Sequence, residues 1–534
     1  MTRRSCAIYA TGIICAHLLI VGIALVVAQV FPTIIFNRLK KEITLTDGKD
    51  VFEAWKNPTP PIYMQYFFFN VTNPEEFLAG GKPAVTQIGP YTYREYRMRE
   101  NVTFIENGTK VFAKNPKSFV FLPEMSVGDP EVDLVRTVNI PAVSVMDAVK
   151  SSFWLSSLVS IWMNSIGVEM FMTRTVHEIL WGFKDPLLTR LHPMKPEIEE
   201  YFGLMYKKNG TSEGEFVYYT GEADYRDYGK ISTWNGQSKM SWWSSNESNM
   251  INGSDGSTFH PLISKNESLF IFTADLCRSI HLNFEKDVEV KGIPAYRFSP
   301  PPEVLASPED NPANAGFCVP AGECLGAGVL KVSVCRKGAP VVVSFPHFYQ
   351  ADQKYIDAIE GMSPNKEDHE TFLDLNPTTG FPIRACKRAQ LNILMSRVYG
   401  FPQTKNLNET IFPVMFVNET VVIDEESAVK MKNLLLIVTV VSNCPLIIVG
   451  LGAIMLVILI ILICRARQIK NEVKRIDFSE AFHSFATTAK EDTAYTQVSD
   501  KPEETLENHS STNQQLKNGP YISMSPIDTE KCFD

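Results

Sequence analysis

The chain has 534 residues, 45% of them hydrophobic and 21% charged, with a formal net charge of −9. Taken whole, these are ordinary values for a globular protein and say little; no nucleic-acid partner is expected. The apolar residues, however, collect at the two ends.

Residues 7–31 form a run of 25 positions without a formal charge, and 434–464 a second run of 31. A bilayer core needs about 20 apolar residues in a helix, and few other structures cross lipid without stranding backbone polar groups. A cleaved signal has an apolar core of only about 7–15 residues and a small-residue cleavage site. Here the core is longer and no convincing site follows it, so the first run is read as an uncleaved anchor. Arg3 and Arg4 precede it, but Arg38, Lys40 and Lys41 follow, so orientation rests on the second span. Arg465, Arg467, Lys470, Lys474 and Arg475 come after that span and only Lys430 and Lys432 before it. Cytoplasmic sides collect Lys and Arg. The expected layout is a cytoplasmic N-terminus (1–6), a first span (7–31), one large lumenal or extracellular domain (32–433), a second span (434–464) and a cytoplasmic tail (465–534). Cys6 and Cys464 sit at the cytoplasmic membrane edges, as S-palmitoylation sites or as ordinary apolar positions.

Asn-X-Ser/Thr sequons mark the large segment as extracytoplasmic. They fall at Asn70, Asn101, Asn107, Asn209, Asn246, Asn252, Asn266, Asn408 and Asn418, where chance would place roughly three. A tenth, at Asn508, lies in the tail and is read as a chance match.

Within the domain, Tyr91 and Tyr93 alternate with Thr92 and Arg94, and Lys331 to Val334 alternate in the same way. Val341, Val342 and Val343 follow a Gly-Ala-Pro turn. These read as strands. Helical stretches are expected near 151–171 and 175–181, which makes the fold α+β, mostly antiparallel sheet with helices at one end. The Pro-rich stretch 299–315 is the best boundary candidate, yet cysteines lie on both sides of it, and a bridge across it would leave one domain. Five cysteines occupy the segment: Cys277, Cys318, Cys324, Cys335 and Cys386. Two bridges and one further thiol is the natural arithmetic, with the connectivity open. Cys386 is either a buried inert thiol or a reactive one. No spacing resembles a zinc site.

Residues 151–168 hold no charge but include Phe153, Trp154, Leu155, Leu158, Ile161 and Trp162. A third span is rejected, because it would put sequons on opposite sides of the membrane. Apolar residues occupy nearly every face and the polar positions are small Ser. Two readings stand: a buried core helix, or a surface that docks a ligand or protein.

No catalytic, metal or cofactor signature emerges. Asn252 to Gly256 lacks nucleophile-elbow spacing, and His177-Glu178 lacks the second His of a zinc helix. Glu367, Asp368 and Glu370 around His369 read as an acid–base site or, far more commonly, a solvated helix start. The tail is poor in large apolar residues and is expected to be disordered. Tyr495 to Val498 and Tyr521 to Met524 fit the tyrosine-plus-apolar pattern of clathrin-adaptor signals.

The blocks YFFFNVTNP (66–74), GPYTYRE (89–95), SVGDP (126–130), ILWGFKD (179–185), MINGSDGSTFHPLI (250–263), SFPHFYQAD (344–352) and NKEDHETFLDLNPTTG (365–380) resemble the class B scavenger receptor family, most of all its lysosomal branch. The resemblance implies an antiparallel β core with a helical apex and an apolar tunnel toward the membrane. It also implies bridges Cys277–Cys335 and Cys318–Cys324, and a ligand-binding apex carried by the 151–171 segment. Implied ligands are lipoproteins, phospholipids, fatty acids or sterols; oligomerisation is left open. The expected function is a scavenger-type receptor that binds lipid or lipoprotein at the apex and moves lipid toward the membrane, trafficking through the plasma membrane and endolysosomes. The alternative is a lumenal cargo receptor for a lysosomal hydrolase such as β-glucocerebrosidase. The lysosomal branch carries that hydrolase on its apex and senses acid with a His there. This chain has no His between 151 and 171, Ser152 falls about where it would align, and the tail is long without an acidic dileucine ending.

Overall fold

The computed structural model describes residues 3–488 of the chain. A 14-stranded sheet forms its framework, with every ladder in it antiparallel. One of its inner strands is Ile62–Val71, in which Met64, Tyr66 and Phe68 are buried at alternate positions and Phe69 and Val71 complete the packing. It pairs on one side with Val85–Arg97, placing Tyr66 opposite Tyr91, and on the other with Thr410–Val422, placing Tyr66 opposite Val417. The beginning and end of the large domain are therefore neighbours in the sheet. The order continues outward through Lys110–Phe121 and Thr211–Tyr219 on the first side, and through Pro382–Met395 and Phe372–Leu375 on the second.

Arg297 and Arg384, from neighbouring strands, grip one carboxylate of Phe372–Leu375. Arg297 Nε and Nη2 lie 2.7 and 2.8 Å from the two oxygens of Asp374, and Arg384 Nε is 2.8 Å away. The Asp374 side chain is fully buried, so the two guanidinium groups offset a desolvation cost that an unpaired carboxylate could not bear.

The disulfides are Cys277–Cys335 and Cys318–Cys324. The first closes across the Pro-rich 299–315 stretch. Cys386 is buried in the Pro382–Met395 strand, outside both bridges. The alternation expected to make a strand of 331–334 stops early: the strand is Val329–Lys331, and Ser333–Cys335 is a 3-10 turn. The bridge from Cys335 to Cys277 and the bond from Cys335 N to Val332 O fix that turn.

The apolar ends are helical. Arg3–Val27 is followed, after a left-handed Gln29, by Val30–Glu42. At the other end Glu425–Ser442 stops at Asn443, and Cys444–Thr488 begins anew. Pro445 lacks the N–H that would continue the earlier helix and suits the first turn of a new one. Among the described residues, Cys6–Val27 and Cys444–Glu480 are the helices long and apolar enough to cross a bilayer. Residues 465–488 are helical and not irregular, which their Arg, Lys, Gln and Glu content favours. Tyr495, Val498, Tyr521 and Met524 lie outside the described residues.

Two compact units are present, residues 14–453 and the helix ends beyond them. In the first, small residues let the terminal helices approach closely. A Cβ on Gly22 would stand 2.8 Å from Val449, one on Gly452 would stand 2.8 Å from Leu19, and Cys15 Sγ donates to Gly452 O at 3.4 Å. Such small-residue contacts are how helices associate in lipid, where the hydrophobic effect is absent. In the second unit, Gly12 faces Leu459.

Candidate ligand-binding site

Between the Lys110–Phe121 and Thr211–Tyr219 strands the chain leaves the sheet. A two-stranded ribbon, Leu134–Val138 with Phe171–Thr175, frames the helices Ile140–Val149 and Phe153–Ser165. Asn139 caps the first helix by accepting from Ala142 N at 3.1 Å. Ser152 caps the second, accepting from Leu155 N at 3.4 Å.

The second helix is inverted. Its inward stripe is Ser156, Ser160 and Met163, spaced i, i+4, i+7 and all buried. Phe153, Trp154, Leu155, Leu158 and Ile161 are exposed, with Trp154 at 79% and Ile161 at 69%. Trp162 is half-buried against the core. Ser156 Oγ donates to Val149 O at 2.8 Å, and Ser157 Oγ to Phe153 O at 2.9 Å. Small side chains on the inner stripe let the 396–401 turn come near: a Cβ on Gly400 would stand 2.8 Å from both Ser156 Cβ and Ser157 N. Each exposed large apolar residue here gives up about half or more of the roughly 1.5–3 kcal/mol that full burial of such a side chain is worth. An uncharged helix that leaves five of them exposed presents apolar surface to its surroundings, a feature that marks interaction surfaces.

The other sequence candidates are spread over the domain. Asn101, Asn107, Asn209, Asn246, Asn266 and Asn408 are exposed, and Asn70, Asn252 and Asn418 are half-buried. Asn418 Nδ2 donates to Gln65 Oε1 at 2.8 Å. Cys6 and Cys464 are exposed on their helices. Among the described residues no cluster of three or more His, Cys, Asp or Glu side chains is placed to hold a metal. Glu178 closes a capping box with Thr175, and His177 Nδ1 lies 2.8 Å from Glu131.

His369 does not sit on a solvated face. It is buried and its ring stacks on that of His347 at 4.5 Å, with Phe416 against both. Each Nδ1 accepts a backbone N–H, from Ser363 for His347 and from Asn365 for His369, while His347 Nε2 lies 2.7 Å from Gln87 Oε1. Burial lowers both rings to about pKa 4. His347 lowers His369 further, Asp368 opposes the shift in both, and Arg388 adds to it in His369. Sequence reasoning missed this pair, because nothing near His369 points to a residue 22 positions earlier.

The CD36 family profile matches residues 13–463. The chain belongs to the CD36 family. It is 44% identical to Lysosome membrane protein 2 of Homo sapiens over 467 residues, 88% of this chain and 97% of that one. It is 33% identical to Scavenger receptor class B member 1 of Cricetulus griseus over 463 residues, 86% and 89% of the respective chains. Membership in this family, with two terminal spans, makes the chain a two-pass integral membrane protein of the class B scavenger receptor type, of the lysosomal or plasma membrane.

Proposed function

We propose that this receptor captures lipid or lipoprotein particles on the outward apolar face of the Phe153–Ser165 helix and passes lipid toward the bilayer. The observation that carries the reading is the inverted helix, with Trp154, Leu158 and Ile161 outward and Ser156 and Ser160 inward. Such a face suits a lipid surface, since it offers burial without a charge that would have to be desolvated. A tunnel through the domain, with phospholipid, fatty acid or sterol as cargo, is the path the family resemblance implies. The protein acts as a receptor and not as an enzyme. Its large domain is extracytoplasmic and glycosylated, both termini are cytoplasmic, and Tyr495 and Tyr521 recruit clathrin adaptors. Uptake of labelled lipid particles by cells expressing Trp154→Asp, Leu158→Asp tests the reading: surface-expressed, folded variant should take up little, and undiminished uptake would refute it.

A second reading is supported by the 44% identity to Lysosome membrane protein 2. In it the same face holds a lumenal hydrolase and escorts it to lysosomes. Ser152 in place of an acid-sensing His means that release would need a different trigger. Purification from cells rich in lysosomes should then bring down one dominant hydrolase, and recovery of none would end this reading.

A further inference from the structure

We propose that an aromatic cavity at Trp181 is the seat of the chain's own N-linked glycan on Asn209. The cavity is about 590 Å³ and is walled by Tyr93, Phe119, Phe121, Trp181 and Tyr206. Its rings brace one another, with centroids 5.3 Å apart for Tyr93–Phe121, 5.3 Å for Tyr93–Trp181 and 5.4 Å for Phe119–Trp181. Its volume lies within the roughly 300–1,000 Å³ range of sites that hold a small-molecule ligand.

Asn209 is itself part of the lining and is exposed. Its Oδ1 accepts from Phe119 N at 3.1 Å. That bond fixes the carboxamide against the cavity wall through its oxygen, not through the nitrogen that carries a glycan. Asn418 differs, because its Nδ2 already donates to Gln65 within the sheet. Gly210, next in the sequon, turns with φ +75° into open space. The cavity also presents polar groups: Asp129, Lys207, and Glu131 with its partner His177. A pyranose offers an apolar C–H face for aromatic rings and a girdle of hydroxyls for carboxylate, imidazole and ammonium groups. A hydrocarbon chain would match only the rings and would take water from the charged groups beside them without offering any polar contact in return.

Attachment replaces one Nδ2 hydrogen with a bond to the anomeric carbon of N-acetylglucosamine. The carbon–oxygen bond to the polyprenyl-diphosphate oligosaccharide donor breaks, the diphosphate leaves, and the proton passes to solvent. The first sugars then cover the rings of Trp181 and Tyr206.

The test combines glycopeptide mass spectrometry at Asn209 with hydroxyl-radical footprinting of Trp181, Met205 and Tyr206 in the full chain from a glycosylating host. Four forms are compared: wild type, wild type after enzymatic glycan removal without denaturation, Thr211→Ala, and Thr211→Ser, which keeps the sequon. Asn209 should be occupied, and labelling should rise several-fold on glycan removal and in Thr211→Ala while Thr211→Ser stays at the wild-type level. An unmodified Asn209, labelling indifferent to glycan removal, or a protected cavity in Thr211→Ala with acyl lipid co-purifying would each overturn the proposal. Glycan removal from folded wild type keeps the test decisive if Thr211→Ala fails to fold.

Discussion

His347 and His369 stack ring on ring at 4.5 Å, and each spends its Nδ1 as the acceptor of a backbone N–H. Both arrangements require a neutral ring, because protonated Nδ1 can only donate. Both rings sit at about pKa 4 against an ordinary 6.5, chiefly through burial. Between those values the unfolded chain binds more protons than the folded one. The stability the pair contributes is therefore complete above pH 6.5 and is lost as pH falls toward 4, at up to about 1.4 kcal/mol per pH unit for each ring. Urea midpoints measured from pH 7 to pH 4 should fall for the wild type and fall less steeply for His347→Gln, His369→Gln. Parallel curves would rule the pair out as a source of acid sensitivity.

Asp374 makes a second prediction. Asp374→Ala leaves Arg297 and Arg384 without their shared partner, at 12% and 23% side-chain exposure. Removing one member of a buried ion pair costs about 3–5 kcal/mol. Chemical denaturation should show a loss of that order, and a change below about 1 kcal/mol would mean that solvent already reaches the two guanidinium groups.

The disulfides should differ in weight. Cys277–Cys335 spans 58 residues and Cys318–Cys324 only 6. On loop-closure entropy, the first restrains the unfolded chain by about 4 kcal/mol and the second by about 2. Paired Cys→Ser variants compared by denaturation should rank in that order, and the reverse ranking would contradict it.

The Phe153–Ser165 helix depends on a glycine. At φ +99°, Gly400 adopts a conformation that side chains rarely take, and a Cβ there meets Ser156 and Ser157 at 2.8 Å. Gly400→Val should displace the Phe153–Ser165 helix and make it exchange amide hydrogens faster than in the wild type, while the Ile62–Val71 strand keeps its protection. Uniform loss of protection across both would show that the apex has no independent mobility.

Much of this was legible in the sequence, because the signals were local. The charge-free ends announce the spans, the Tyr91–Tyr93 alternation announces its strand, and the uncharged 151–168 stretch announces a helix. What the sequence did not disclose is non-local. Nothing near Tyr66 says that Val417 lies opposite it, nor near His369 that His347 lies beneath it. The direction of the Phe153–Ser165 helix was also hidden, because ordinary burial logic turns Leu158 inward and Ser160 outward, and the helix does the opposite. The strand expected at 331–334 fails because Cys335 must turn back to reach Cys277.

The outward face of that helix is the central claim, and direct binding tests it. Purified full chain in nanodiscs would be titrated with phospholipid-rich particles, beside Trp154→Asp, Leu158→Asp. Both positions are exposed, at 79% and 66%, so thermal unfolding should hardly change. Losing two apolar contacts of about 1.5 kcal/mol or more each predicts affinity weaker by on the order of a hundredfold. Equal affinity in a folded variant would place the lipid-binding surface elsewhere.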